Sequence, residues 1–368
     1  MRELDGMNLT MTFLVMFIHI SSQAVSSLDK FSAPHIAVFA FWRLAMISIQ
    51  GFVFLSGVKF MLSFRTRKLN YPKYALSRFV KIIVPYVVFN VIYYVNFVQN
   101  GYFGFSLRDL GKYLIRGDLA APFYFVIVIA QFYLLAPLWT RIFNKMPAAV
   151  TMKAIIPAAA AVNILWVTLL PYIMRNHFPA VDAVPISRLL FGNILYWTAG
   201  CAVGKNYENF LAEIKKHKAA IFALTAVTAA MFVPYSYFHS YSQMKAGADL
   251  LNSISAIMHM ILCVCSIPSL MIISDALSTK WRKICESKAF SLLSASTYYI
   301  YLIHCLFIFY AEKIGRDFQI TRIFSMFVLK SVFVGILSVA SSMAIVFLTG
   351  VVKRIIQSSQ SKPDKPSN

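Results

Sequence analysis

The chain has 368 residues, of which 59% are hydrophobic and 13% charged, whereas soluble domains carry about 25% charged residues. Its apolar residues fall in runs of about 20, which excludes a soluble globule, and the runs are apolar all round, which excludes the short alternating strands of a β-barrel. The net charge of +21 sits mainly in short segments between the runs, which argues against a nucleic-acid partner.

Ten runs stand at about 8–27, 36–62, 79–99, 121–139, 152–172, 186–204, 219–238, 249–274, 290–311 and 323–350. Each is long enough to cross a hydrocarbon layer of roughly 30 Å as a helix. The predicted fold is all-α: a polytopic membrane helix bundle of about ten transmembrane helices. The first run has acidic flanks, Glu3 and Asp5, and no small-residue cleavage site, so it is expected to be a span and not a cleaved signal peptide. His19 lies in its middle. The second run contains Arg43 and, near its end, Lys59. A basic segment with Arg65, Arg67, Lys68, Lys73 and Arg78 follows, and Lys81 opens the third run. Pro85, Pro137, Pro157 and Pro268 fall inside predicted helices and are expected to kink them, which neighbouring helices tolerate. Lys330 and Asp249 lie near span ends and are expected to snorkel. The domain reading is one membrane domain over 1–354 and a polar, disordered tail over 355–368. No internal repeat of halves is visible, which disfavours transporter families built on one.

Ten spans put both termini on one side. That side holds 21 of the 35 Lys and Arg, the opposite loops hold nine, and five lie within spans. The positive-inside rule then places both termini in the cytoplasm. The cluster from Arg65 to Arg78 reads as topology signal or as capture of a cytoplasmic anion such as a nucleotide-bearing cofactor. Cys201, Cys263, Cys265, Cys285 and Cys305 form no CxxC and no zinc-finger spacing, so neither a disulfide nor a metal is expected.

A rise of 1.5 Å per residue places His19 about 16 Å and His304 about 21 Å from the inner edge, and Arg43 roughly 10 Å from the outer edge. His259 and Gln131 fall about 15 Å deep, and Arg188 at the outer mouth of the sixth run. Ionisable groups at such depth cost a few kcal/mol and usually face a cavity. His19 reads as a general base, against a purely structural hydrogen bond to a neighbouring helix. Arg43 reads as a holder of a thioester, phosphate or oxyanion, against an ion pair or a snorkel. His304 reads as functional; His259 is open. His35, His177, His217 and His239 read as solvated. Tyr298, Tyr299 and Tyr301 read as belt residues or as an acceptor groove for sugar rings. No GxSxG, HExxH, P-loop or GxGxxG is present, so hydrolase, zinc-protease and ATPase readings have no motif.

Several segments share one resemblance. Asp5 is followed fourteen residues later by His19, then by Phe41-Trp42-Arg43 and an FLSG turn at Phe54 to Gly57. YPKYALSRFVKIIVPYVVF (71–89), APFYFVIVIAQFYLLAPLW (121–139), ILYWTAGCAVGK (194–205) and STYYIYLIHCLFI (296–308) follow in order. The set resembles the acyltransferase-3 family of bacterial integral-membrane O-acyltransferases across nearly the whole chain. The resemblance implies a multi-pass protein of the cytoplasmic (inner) membrane. It implies transfer of an acyl group, usually acetyl, from cytoplasmic acyl-CoA to a hydroxyl of an envelope polysaccharide or lipid-linked acceptor. It also implies that His19 is the essential histidine and Arg43 a site arginine. One position departs: many members carry arginine eleven residues before that histidine, and here it is Asn8.

The expected function is therefore a membrane O-acyltransferase with His19, Arg43 and His304 as catalytic residues. Acyl-CoA is the co-substrate, with Arg65, Arg67, Arg78 and Lys81 on its phosphates. Its partners are a glycan or lipid-linked sugar and membrane lipid, with no nucleic acid. Acetyl and succinyl, and direct transfer or an acyl-histidine, stay open. The competing class is a glycan or lipid-linked-sugar flippase using the same buried His and Arg. A third is an inactive scaffold, which Asn8 makes conceivable.

Overall fold

The computed structural model describes residues 2–147, 150–241 and 247–360, with side chains described as far as 354. Among the described residues seventeen α-helices follow one another, with no strand. They are α1 (Arg2–Ser27), α2 (Ala33–Ala45), α3 (Ser48–Phe64), α4 (Tyr71–Arg78), α5 (Val84–Gln99), α6 (Leu107–Arg116), α7 (Tyr124–Leu134) and α8 (Ala136–Lys145). Then come α9 (Ile156–His177), α10 (Ala183–Ser187), α11 (Ile194–Lys205), α12 (Tyr207–Lys216) and α13 (Lys218–Tyr241). The chain closes with α14 (Ala248–Lys280), α15 (Arg282–Cys285), α16 (Lys288–Asp317) and α17 (Ile323–Gln360). The tail expected to be disordered from 355 is helical as far as Gln360, and 361–368 lie outside the described residues.

Eight helices among the described residues are long and apolar enough to cross a membrane. A ninth is reached if Leu107–Arg116 and Ala121–Leu134, bent by 55°, count as one span. The shortfall from ten lies in two predicted spans. The fourth breaks at Leu135, where α7 ends and α8 begins. The sixth yields only the 12-residue α11, about 18 Å long and too short to cross unaided. These two irregular segments are tied together. The Gln131 amide donates to Arg188 O at 2.9 Å and accepts from Leu190 N at 3.1 Å, and Trp197 of α11 stacks on Phe132 of α7 at 4.8 Å.

Local chemistry sets the breaks. Ser32, Asn70, Ser106 and Ser287 cap α2, α4, α6 and α16 by accepting a backbone N–H, the role short polar side chains fill at a helix start. Pro85 and Pro157 each sit two residues beyond a π-turn, Phe79–Ile83 and Thr151–Ile155. A proline ring collides with the carbonyl four residues back. That carbonyl belongs to Lys81 or Lys153, and the widened turn carries it clear. Pro137 starts α8, and only Pro268 of the four predicted kink sites lies inside a continuous helix.

Burial orders the bundle. In α1 and α14, 44% of the apolar span is buried, against 11% in the spans of α9 and α13; the first two are central and the last two face outward. α1 packs on α2, α3, α14, α16 and α17. Small residues let α3 and α11 pack at backbone distance: a Cβ on Gly57 would stand 2.6 Å from Trp197 O, and one on Gly204 2.5 Å from Val58 O.

Two expectations about single residues are corrected. Lys330 does not snorkel. It is 1% exposed and donates to Glu312 at 2.6 Å and Gln23 at 2.7 Å, because carboxylate and amide acceptors stand within its reach inside the bundle. His35 is not solvated. It is fully buried, with Nδ1 2.8 Å from the Tyr237 hydroxyl and Nε2 3.1 Å from Val25 O and from the Tyr241 hydroxyl; it fastens α2 to α1 and α13.

Candidate functional site

The site is built where α1 and α16 run side by side. Asn8, Thr12, His19 and Gln23 recur on α1 at intervals that keep them near one face. Thr297, Tyr301, His304 and Glu312 do the same on α16. Between the two helices these polar groups form three levels.

At the first level Asn8 Nδ2 donates to Thr297 Oγ1 at 2.7 Å. Both line a cavity of about 270 Å³ together with Arg78, Lys81, Tyr298 and Tyr301. Arg78 lies over the Tyr74 and Tyr133 rings at 5.1 and 5.0 Å, and its Nε is buried without a hydrogen-bond partner. Neither Arg78 nor Lys81 has a carboxylate partner among the described residues. The Tyr298 hydroxyl donates to Ile82 O at 2.8 Å, which anchors α16 to the π-turn bearing Lys81.

At the second level the His19 and His304 rings stand 5.2 Å apart, tilted by 40°. His304 is fully buried and His19 half-buried. His304 Nδ1 lies 3.2 Å from Ile300 O. A carbonyl only accepts, so Nδ1 carries the proton and the Nε2 lone pair is free. Cys305 Sγ is 3.4 Å from that Nε2, and ligand atoms of His19, His304 and Cys305 all lie within 4.8 Å of one another. The Tyr93 hydroxyl of α5 donates to Leu302 O at 2.9 Å and accepts from Leu306 N at 2.7 Å. Those two groups are the ends of one helical rung, so Tyr93 is wedged into α16 where His304 projects.

At the third level Lys330 of α17 joins Gln23 of α1 to Glu312 of α16. The Tyr301 ring links the levels: it borders the cavity and lies 6.2 Å from the His304 ring.

The other expected site residues are placed as follows. Arg43 is half-buried; its guanidinium lies 5.0 Å from the Phe232 ring and 5.9 Å from Trp42, and Nη1 meets the Met46 sulfur at 3.4 Å. Its Nε is buried and unpartnered, and it makes no hydrogen bond or ring contact with His19 or His304. His259 packs on the same Phe232 ring at 5.5 Å, with Nε2 3.6 Å from Cys263 Sγ. Arg65 is taken up by a two-pronged pair with Glu208, 2.7 Å on each prong, and this contact holds the exposed Glu208 carboxyl down at about 2. Arg67 is exposed, and neither it nor Arg65 lines the cavity. Arg2 and Lys59, the basic residues near Asn8 in sequence or depth, pair with Glu286 and Asp5.

Sequence reasoning did not single out Thr297, Tyr93, Cys305, Gln23 and Glu312. Two left a signal: Thr297 stands seven residues, two turns, before His304, and Gln23 one turn after His19. Tyr93, Cys305 and Glu312 left none, because an aromatic or a thiol inside a span, or a carboxylate just past the end of one, is common.

The acyltransferase-3 family model, described as an acyltransferase domain, matches residues 1–347. The chain belongs to this family, as a multi-pass helical membrane protein. It is similar to proteins named probable poly-beta-1,6-N-acetyl-D-glucosamine export protein from Staphylococcus aureus strains MSSA476, MW2 and N315. Each is 23% identical over 250 residues, 64% of this chain and 63% of theirs. The chain thus spans less than two thirds of the length of these curated relatives. No solved structure matches.

Proposed function

We propose that this family member is a membrane O-acyltransferase. It carries an acyl group, acetyl the expected one, from cytoplasmic acyl-CoA to a hydroxyl of an envelope glycan or lipid-linked sugar, with both termini in the cytoplasm. One observation carries the reading: a cavity holding two cations without carboxylate partners among the described residues is joined through Tyr301 to the close pair of half-buried His19 and buried His304. Arg78 and Lys81 take the donor's phosphates, and Asn8 and Thr297 offer neutral hydrogen bonds beside them. The rise from Asn8 to His19 is about 16 Å, a distance an extended pantetheine arm covers.

His19 removes the proton of the acceptor hydroxyl as its oxygen attacks the thioester carbon. The C–S bond breaks, and the CoA thiolate leaves and regains a proton from His19. His304, whose Nδ1 proton is donated to Ile300 O, presents its Nε2 lone pair to steady the His19 imidazolium. Arg43 reaches the oxyanion when its side chain swings off Phe232; where it rests, its free Nε suits an oxygen of the acceptor. The donor grip narrows from the four expected cations to Arg78 and Lys81, since Arg65 is occupied by Glu208 and Arg67 is outside the cavity.

Purified protein in lipid nanodiscs, given labelled acetyl-CoA and a glycan acceptor, should release CoA and label the sugar. His19→Ala should abolish both while inserting normally; transfer retained in that variant would refute the assignment. The relatives named as exporters favour a second reading, glycan export through the same polar levels. An exporter would move glycan across vesicles with no release of CoA.

A further inference from the structure

We propose that His19, His304 and Cys305 form a binding site for a borderline-soft divalent cation, with zinc the best fit. Zinc binds imidazole nitrogen at about 2.0–2.1 Å and thiolate at about 2.3 Å in a tetrahedron, so its ligand atoms stand about 3.3–3.6 Å apart. One edge already has that length, with Cys305 Sγ 3.4 Å from His304 Nε2. The other edges lie within 4.8 Å, and rotation of His19 and Cys305, both half-buried, closes them by about an ångström.

The tautomer is the one a metal needs. The Ile300 carbonyl holds the proton on His304 Nδ1 and leaves Nε2 as a ligand. A histidine whose second nitrogen donates to a carbonyl is the usual arrangement around bound metal. Two imidazoles and a thiolate select a borderline-soft ion over magnesium or calcium, which take oxygen. On binding, the Cys305 S–H bond breaks, sulfur bonds to the metal and the proton goes to solvent. The site then carries one net positive charge. Cys305 and Glu312 are seven residues apart on α16, about 10 Å along the axis, but Lys330 already pairs with that carboxylate at 2.6 Å, so it adds no uncompensated charge to the site. Three protein ligands leave a fourth position open. A second His–Cys pair, His259 and Cys263 at 3.6 Å, has no third ligand among the described residues.

Occupation would fix the imidazole that acts as base, so zinc would block transfer. That consequence rests on the proposed function; binding does not. The test uses the reduced full chain in nanodiscs with cobalt as the probe. Thiolate bonded to cobalt gives a near-ultraviolet charge-transfer band, and zinc should abolish it by displacement. One ion should bind per chain. Cys305→Ser should remove the band and weaken binding on the order of tenfold or more, while Cys263→Ser should keep both. No band in the unaltered protein, or a band that survives Cys305→Ser, would overturn the site. Zinc bound with transfer undiminished would leave the site standing and overturn His19 as the base.

Discussion

The Lys330–Glu312 pair offers a sharp test of the packing, because its two ends differ in burial. Lys330 is 1% exposed and Glu312 39% exposed. Replacing Glu312 by Gln leaves a cation sealed in the bundle with only neutral acceptors, Gln23 at 2.7 Å and the new amide. Breaking a buried pair from one side costs about 3–5 kcal/mol. The surviving Gln23 contact offsets about 1.5 kcal/mol of that, the lower end of the range for one hydrogen bond to a charged group. The expected loss is about 2–3 kcal/mol. Replacing Lys330 by Met removes the buried charge and keeps most of the side-chain volume. It leaves Glu312 unpaired but able to hydrate, so the expected loss is about 1 kcal/mol or less. Glu312→Gln should therefore be the more damaging change although it alters the more exposed residue. The double variant should resemble Lys330→Met. Thermal unfolding in nanodiscs, followed by tryptophan fluorescence, measures all three as a double-mutant cycle. If Lys330→Met lowers the transition temperature as far as Glu312→Gln, the burial asymmetry does not govern the pair and the argument is wrong.

Arg78→Gln and Lys81→Gln should each raise KM for acyl-CoA by about tenfold, with a smaller change in kcat and a weaker dependence on salt; an unchanged KM would remove the cavity as the donor site. Tyr93→Phe should shift stability by less than about 1 kcal/mol, because the freed Leu306 N–H and Leu302 C=O can pair with each other. The closing rung should move His304 and lower kcat with KM unchanged, read by steady-state kinetics. Gly200→Val should prevent α3 and α11 from closing, since any Cβ there would collide with Phe54 O; a fall in monodisperse yield on size exclusion is the readout. The Arg65–Glu208 pair gives a pH prediction. Glu208 has its folded value lowered from 4.5 to about 2 by the Arg65 hydrogen bonds, so its stabilisation is complete above pH 4.5 and fades as pH falls toward 2. The pair is exposed, so the effect should stay below about 1 kcal/mol, and Glu208→Gln should erase that part of the acid dependence of the unfolding temperature.

The helical class and the membrane setting were legible in the sequence because composition and run length report the solvent directly. A 20-residue apolar run has one stable outcome in hydrocarbon, where backbone groups must pair within the segment. That His19 and His304 share a level was legible for the same reason: helical rise is constant, so position along a span converts to height, and the two rings stand 5.2 Å apart. Azimuth was not legible, and it decided the site. His19 and His304 meet because α1 and α16 pack in parallel register, while Arg43 turns its guanidinium to the Phe232 ring of α13. Arg65 and Arg78 look alike in one basic segment, yet Glu208 arrives from α12 to claim the first and leaves the second facing a cavity. The broken fourth and sixth spans escaped the run count because hydropathy ignores which backbone groups a neighbour such as Gln131 satisfies. Lys330 looked like a snorkelling residue until Glu312 and Gln23, from two other helices, gave it acceptors inside. Height belongs to one helix and follows from its own residues. Which groups face each other depends on rotations and contacts among several helices, and only their joint packing settles that.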